Sequence, residues 1–374
     1  MVRRTTLRSS SKKERVDERL LLVFLFLLVG GLIMVYSNSS ILAESRHGSQ
    51  WFFMKSQFLW TILSLAAVYL ITRLDIRKLA VYSVPALIII LVMLGMVFLM
   101  PARNASHRWI LLAGLSIQPS EFFKLMMVIF LAFSLSNARR DITRWKQLIF
   151  PYAVLISLGM ILIILQPDLG TAMVIGATAL GMFFLAGARI THLATLVLPM
   201  IAGGCALVFG LGYKKARVTT WLDSVLDPLQ GSYQVKQAAL TLGSGGILGT
   251  GLGEGRQKLF FLPYPHTDFA FAAVGEELGL VGLFALLGAY FYLLKRGLAI
   301  AMDQPDRFGF LLASGLTLLL FVNIALNIAV VTAIMPVTGL PLPFISYGGS
   351  SLLISSAAVG LLLNLSRREV PNHA

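Results

Sequence analysis

The sequence predicts an all-α polytopic membrane protein, with about ten transmembrane helices and a long extracytoplasmic loop between the seventh and the eighth. Three observations carry that prediction. Hydrophobic residues make up 57% of the 374-residue chain and charged residues only 13%, a balance that excludes an ordinary soluble domain. Apolar runs of about 17 to 25 residues recur along the chain, each long enough to cross a hydrocarbon core of ~30 Å as a helix. Finally, basic residues collect in alternate connections, as the positive-inside rule requires of a threaded chain.

In order, the runs lie near 20–37, 51–72, 79–100, 119–136, 148–165, 170–187, 193–213, 269–294, 307–333 and 345–366. A basic tail precedes the first run, as in a secretory signal. No small-residue cleavage site follows it, and Glu14, Asp17 and Glu18 interrupt the tail, so the run is read as a retained membrane helix. Threading from a cytoplasmic N-terminus puts 20 of the 31 Lys and Arg residues on the inner side, in the tail to Arg19, 73–78, 139–146, Arg189, 295–307 and 367–368. The short outer connections hold only Arg46, Lys55, Arg103 and Arg108, the 214–268 loop holds six more, and Lys124 falls inside a run. The expected organisation is a cytoplasmic tail over 1–19, one transmembrane domain over 20–366 and a cytoplasmic tail over 367–374, with both termini on the cytoplasmic side of the membrane.

The net charge of +14 follows from this inner-face bias against anionic lipid. No basic groove with stacking aromatics and no binding motif accompanies it, which excludes nucleic acid as a partner. Cys205 is the only cysteine, so disulfides within the chain are impossible, and its Gly-rich apolar setting predicts a small packing residue. His47, His107, His192, His266 and His373 are widely scattered and offer no transition-metal cluster. No internal repeat of the transporter kind is visible.

Polar residues interrupt the apolar pattern at a few places, and the threading brings them to one side. The 214–268 segment carries Trp221, Leu222, Tyr233, Val235 and Leu240, followed by seven glycines between Gly243 and Gly255. It suits an amphipathic piece lying on the membrane and then a tight Gly-rich turn; a flexible loop is the plainer alternative. Arg108-Trp109 precedes the fourth run. Pro119 starts that run, and Glu121 and Lys124 share a helix face at i, i+3, either as a structural ion pair or, with Arg108, as a basic pocket carrying its own carboxylate. Gln166-Pro167-Asp168 ends the fifth run, where Asp168 is placed to cap the sixth helix. From Thr338 to Ser351 the prolines and glycines forbid a regular helix until about Phe344, which predicts a broken segment lining a cavity.

Asp268, in His266-Thr267-Asp268-Phe269, stands where the outer loop meets the eighth run. A partly desolvated carboxylate at a membrane mouth has a raised pKa and becomes a better proton acceptor near neutrality; capping of the eighth helix is the structural alternative. Glu276 and Glu277 follow eight and nine positions later, so one of them returns to about the same helix face. Acids that deep must face protein or water.

Over nearly its whole length the chain resembles the SEDS family of polytopic cell-wall proteins that includes FtsW, RodA and SpoVE. The motifs that carry the resemblance are Gln118–Lys124 (QPSEFFK), Gln166–Thr171 (QPDLGT), Gly243–Gly253 (GSGGILGTGLG), His266–Phe269 (HTDF), Gly275–Gly279 (GEELG) and Gly339–Ser351 (GLPLPFISYGGSS). Arg256-Gln257-Lys258-Leu259 ahead of Leu262-Pro263 resembles the FtsW and SpoVE branch more than RodA. Where family members usually carry Glu after Leu-Pro, this chain has Tyr264.

The resemblance implies a peptidoglycan glycosyltransferase that polymerises lipid II into glycan strands at the outer membrane face, for cell division in this branch. It implies Asp268 as the catalytic base. The candidate substrate contacts are Arg108, Glu121, Lys124, Asp168, Arg217, Lys258, His266, Thr267, Glu276, Glu277, Ser346 and Ser350, with Arg108, Lys124 and Arg217 as cations for the pyrophosphate leaving group. No metal ligand is assigned; a divalent cation bridging pyrophosphate and carboxylates stays open. Implied partners are lipid II, undecaprenyl pyrophosphate, an FtsI-like class B penicillin-binding protein docked through its single membrane helix, and other divisome proteins. Two rival readings use the same helices: a lipid II flippase and a non-enzymatic scaffold that recruits a transpeptidase.

Overall fold

The computed structural model describes residues 14–100, 108–112, 115–137, 149–210, 212, 215–226, 232–257, 262 and 265–369. Lys258, Tyr264 and the 139–146 basic segment lie outside the described residues. The helices, in chain order, are α1 (Glu18–His47), α2 (Phe52–Ile71), the short α3 (Ile76–Val81), α4 (Ser83–Met96), α5 (Pro119–Leu135), α6 (Val154–Leu165), α7 (Leu169–Leu185), α8 (Ile190–Cys205), α9 (Lys215–Leu226), α10 (Tyr233–Ser244), α11 (Ala270–Met302), α12 (Arg307–Val331) and α13 (Gly349–Leu365). By length and composition five of the described stretches are able to cross a membrane: α1, α2, Ile190–Gly210, α11 and α12. The shorter apolar helices Ser83–Leu99, α6, α7 and α13, together with α5, fill the remaining predicted spans. The protein is a multi-pass helical membrane protein.

α1 begins where the Asp17 carboxylate accepts from the Leu20 N–H, and it ends where Gly48 turns left-handed at φ 69°. It continues ten residues past the apolar run that ends at 37. Hydropathy marks where a helix faces lipid, not where its hydrogen bonds stop; here Asn38 and Ser39 are buried in protein, Ser39 Oγ donates to the Val35 carbonyl at 2.6 Å, and Ser37 Oγ bonds the Glu277 carboxylate.

α12 is the central post, packed against α5, α7, α11 and α13. At one end of the bundle the chain closes on itself: β1 (Glu14–Arg15) pairs antiparallel with β4 (Arg368–Glu369), and the Asp17 N–H donates to Ser366 Oγ at 2.9 Å. The Asp17 carboxylate meets the Arg296 guanidinium. Burial works to raise the Asp17 pKa, but hydrogen bonding and charge from Arg296 outweigh it and hold the group below its ordinary value. α11 runs from Ala270 to this same end, where Gln304 bonds the Leu365 carbonyl at 3.0 Å, so Asp268 lies at the opposite end.

That opposite end carries the irregular structure. A small antiparallel hairpin of β2 (Ile110–Leu112) and β3 (Leu115–Ile117) precedes α5; its strands are too short to show an alternating pattern, and the sequence did not predict it. The 214–268 loop holds two helices, not one amphipathic piece. α9 is fastened by Trp221 Nε1 donating to the Ala333 carbonyl at 3.0 Å, and α10 buries Val235, Ala238 and Thr241 against α11.

The Gly-rich turn after α10 has a structural counterpart inside α11. At Gly279 the backbone leaves the helix, with φ 65° and ψ −165°, and the orphaned groups are satisfied by the turn. Thr250 and Gly251 N–H groups donate to the Glu276 and Glu277 carbonyls at 2.9 and 3.0 Å, while Leu280 and Val281 donate to the Gly246 and Ile247 carbonyls. Broken helices survive at membrane depth only when such partners exist. A Cβ on Gly279 would lie 2.3 Å from the Gly249 nitrogen, so no other residue fits.

α8 stands at the periphery. None of its residues is buried and Cys205 is exposed, which corrects the expectation of a packing role: among the described residues nothing covers that face of this peripheral helix. Between α6, α7 and α8 lies an apolar cavity of about 620 Å³, lined by residues such as Ile156, Met160, Ile164, Ala172 and Pro199, and reaching Leu169 at the start of α7.

Candidate active site

Two non-helical segments meet above α12, the 265–269 turn ahead of α11 and the 336–348 segment ahead of α13. Backbone polar groups outside a helix need partners, and here each segment supplies the other. The Tyr347 N–H donates to the His266 carbonyl at 2.7 Å. Ser346 Oγ donates to the Thr267 carbonyl at 2.5 Å and accepts from the Leu342 N–H at 2.9 Å. Asn327, near the end of α12, donates its side-chain amide to the Asp268 carbonyl at 3.0 Å and to the Leu340 carbonyl at 2.6 Å. The carbonyls of three consecutive residues are thereby consumed, and the Asp268 carboxylate, hydrogen-bonded by the Thr267 hydroxyl, is the acidic group of the turn.

That carboxylate lies beside Gly339, whose φ is 79° and whose hypothetical Cβ would come within 3.6 Å of Asp268 Oδ2. Burial pushes its pKa up to about 6 and the nearby Asp168 carboxylate adds to the rise; Arg108, the Thr267 hydroxyl and Arg217 partly oppose it. The result is an acid poised near neutrality with two guanidinium groups in its field. Burial and the charge of Arg46 push the neighbouring His266 down to about 4, so its imidazole is neutral.

Asp168 serves several partners at once. It caps α7 by accepting from the Thr171 N–H at 3.2 Å, accepts from Gln118 Nε2 at 3.2 Å and lies 3.7 Å from Arg108 Nη1. Arg108 also donates to the Gln166 carbonyl at 2.8 Å and to the Pro167 carbonyl. Arg217, on α9, is exposed and reaches the Val337 carbonyl at 3.4 Å. Ser350 ties the hairpin to α13, accepting from the Gln118 N–H at 3.1 Å and donating to the Ser116 carbonyl at 3.2 Å.

Several candidates occupy structural positions instead of facing the mouth. Lys124 Nζ lies 2.9 Å from Glu121 Oε1 and 3.3 Å from Asn323 Oδ1, with all three residues buried. Asn323 is one helical turn below Asn327, so the pair forms a closed polar layer beneath the Asp268 turn. Glu276 Oε1 accepts from the Arg256 and Gln257 N–H groups at 2.7 and 2.9 Å, and Glu277 accepts from Ser37; both acids hold the Gly-rich turn and α1 to α11. Asn327 was missed in the sequence. Its signal is present in hindsight as one of two asparagines spaced i, i+4 inside an otherwise apolar run.

Among the described residues no group of three or more His, Cys, Asp and Glu side chains is arranged to hold a metal ion. Asp168 and Asp268 are the two carboxylates that share a field, and Asp168 is already engaged by Arg108, Gln118 and the α7 cap.

Comparison with known proteins agrees with this architecture. Stage V sporulation protein E of Bacillus subtilis (strain 168) is 41% identical over 362 residues, which cover 96% of this chain and 99% of that protein. A probable peptidoglycan glycosyltransferase FtsW of Geobacter metallireducens is 38% identical over 358 residues, 95% of this chain and 96% of that protein. Among solved structures, one described as structural coordination of polymerization and crosslinking by a peptidoglycan synthase complex superposes with a TM-score of 0.77 at 29% identity, covering 94% of this chain and 97% of that one. The rod shape determining protein RodA of Thermus thermophilus superposes with a TM-score of 0.69 at 29% identity over 94% and 96% of the two chains. Residues 18–370 match the family of cell cycle proteins FtsW, RodA and SpoVE, and the chain belongs to that family.

Proposed function

We propose that this protein is a peptidoglycan glycosyltransferase that polymerises lipid II at the outer face of the bacterial cytoplasmic membrane, with both termini cytoplasmic and septal synthesis as its setting. The observation that carries the reading is the Asp268 carboxylate, raised to about 6 and flanked by Arg108 and Arg217. An acid with that pKa is largely ionised at neutral pH yet still basic enough to accept a proton in a transition state.

In the reaction, Asp268 takes the proton of the GlcNAc 4-hydroxyl of one lipid-linked sugar as that oxygen attacks C1 of MurNAc in another. The new C1–O4 bond forms, the bond from C1 to the pyrophosphate oxygen breaks with inversion, and undecaprenyl pyrophosphate leaves. Charge developing on the pyrophosphate needs preorganised cations. Arg108 is already committed to two carbonyls and to Asp168, so it holds the mouth in shape. Arg217 makes one long contact and is the more available cation for the leaving group. The apolar cavity between α6, α7 and α8 ends at Leu169, next to Asp168, and suits a polyprenyl tail whose head group lies at the mouth.

Peptide crosslinking requires a partner, an FtsI-like class B penicillin-binding protein with a membrane helix. The ridge of Phe284, Phe291 and Leu298 on α11, exposed and spaced by seven residues, is available to such a helix. Purified protein supplied with labelled lipid II tests the reading: elongated glycan is expected from the wild type, with or without the partner. A flippase needs two leaflets and makes no glycan, and a scaffold makes none under any condition, so absence of product overturns the proposal.

A further inference from the structure

Beside the 265–269 turn, the α1–α2 connection carries an unusual density of aromatic rings. Tyr36 and Trp51 stack with centroids 4.8 Å apart and planes 29° apart. His47 and Phe52 stack at 3.8 Å and 11°. Phe53 joins that pair to the site: it contacts His47 at 5.7 Å, His266 at 4.8 Å and Tyr347 at 5.4 Å, and His266 contacts Tyr347 at 5.9 Å. A continuous row of rings therefore leads from the surface to the residue two positions before Asp268.

The outer part of the row is open. Phe52 in the row is 47% exposed, and Trp51, its neighbour in sequence, which stacks on Tyr36 beside the row, is 52% exposed. A membrane-interface belt consists of Trp and Tyr rings anchored by polar tips at the head groups, whereas here the rings pair with one another and Phe52 has no polar tip. Planar polar groups border them: exposed Arg46, and Gln50, whose amide donates to Glu44 at 3.0 Å. At the inner end, buried His266 Nδ1 has no hydrogen-bond partner among the described residues. Exposed aromatic faces with planar hydrogen-bonding groups alongside are the chemistry that binds pyranose rings, whose C–H faces lie on π surfaces while their hydroxyls bond the flanking groups.

We propose that the aromatic row of the α1–α2 connection is a saccharide-binding platform that holds the growing glycan strand as it leaves the Asp268 mouth. The inference rests on the glycosyltransferase reading. Holding the strand keeps its end near the mouth, since a tethered second binding event is favoured by effective concentration, and the number of sugars added before release rises accordingly.

The test uses full-length protein in proteoliposomes with lipid II. The pair Trp51→Leu and Phe52→Leu keeps apolar surface for the membrane but removes the flat faces; the pair Trp51→Phe and Phe52→Tyr keeps them. At matched lipid II consumption, the leucine pair is expected to give strands several-fold shorter than wild type, and the aromatic pair strands of wild-type length. Independently, a GlcNAc tetramer added to the purified wild type is expected to show saturation transfer to its ring protons, lost in the leucine pair. Equal strand lengths for the leucine pair and wild type, or no saturation transfer from the wild type, overturns the platform. Should the wild type make no glycan, the polymerase reading fails while the tetramer experiment still decides whether sugar binds here.

Discussion

The side-chain amide of Asn327 in α12 donates to the backbone carbonyl of Asp268 at 3.0 Å. The same amide bonds the Leu340 carbonyl at 2.6 Å, so one residue on the central helix clamps both irregular segments of the mouth. Asn327→Leu, of similar volume, leaves two buried carbonyls without a donor at about 1–3 kcal/mol each. The turn loses its anchor although no substrate contact is removed. A fall of about tenfold or more in kcat with little change in KM is expected, together with a lowered Tm, because misplacement of a reacting group acts on the transition state. Wild-type kcat in a folded variant would show that the clamp does not set the base.

The pKa of Asp268 makes two linked predictions. Polymerisation should rise with pH through about 6 and level off above it, since the carboxylate form accepts the proton. Asp268→Asn should abolish it. Measuring the rate from pH 5 to 8 in the wild type, with protein integrity checked at each end, decides the first. Residual polymerisation by the Asn variant within a few-fold of wild type rejects the second.

Stability should move the opposite way. An unfolded carboxyl ionises near 3.8 and the folded one near 6, so between those values the folded protein retains a proton that the unfolded chain has lost. Ionising this partly buried, desolvated group is a penalty that is absent below the lower value, grows through the window and is complete above the upper one. Asn carries no such penalty. Asp268→Asn is therefore expected to melt higher than the wild type at pH 7.5, with the gap closing by about pH 4. A simple helix-capping role gives no such pH-dependent gain.

Much of this arrangement was legible in the sequence because it depends on local chemistry. Apolar length located the spans, Pro119 located the start of α5, and Asp168 was read as the cap of α7 from its position after Pro167. The Gly-rich segment was read as a tight turn, but its counterpart, the break at Gly279, was not, because a helix broken by one residue keeps its apolar periodicity on both sides. Likewise α1 outran its predicted end because Ser37 and Asn38 are polar residues facing protein. What composition cannot carry is pairing between distant segments: nothing local in Asn327 states that Asp268 and Leu340 share its amide. Glu276 and Glu277 were rightly noticed as deep acids, yet only the folded chain shows them holding a loop backbone and α1.

Gly279 offers a test of that loop. Gly279→Ala would bring a Cβ to 2.3 Å from the Gly249 nitrogen and 2.5 Å from the Ile247 carbonyl oxygen, at a φ of 65° that L side chains tolerate poorly. Either the turn detaches, exposing the four backbone bonds it makes with α11, or the helix straightens and the 265–269 turn shifts. A Tm loss equivalent to several kcal/mol and greatly reduced polymerisation are expected. Gly253→Ala is the control, since its hypothetical Cβ meets nothing within 4 Å and only its φ of 88° is strained; equal loss from both variants would mean that backbone strain, and not docking against α11, is responsible.

The Glu121–Lys124 pair separates structure from chemistry within the candidate set. Both side chains are 3% exposed at 2.9 Å, and Asn323 completes the layer. Removing one partner strands a buried charge, which typically costs ~3–5 kcal/mol, whereas replacing both with neutral side chains of similar size is often close to neutral. Glu121→Gln and Lys124→Met should each lower Tm and activity, and the double variant should recover both. Recovery follows from the geometry, because the ammonium already has two partners and lies a helical turn below the Asp268 carbonyl. A double variant with restored Tm and no polymerisation would instead require Lys124 to reach the pyrophosphate during the reaction, through an opening of the layer between α5 and α12.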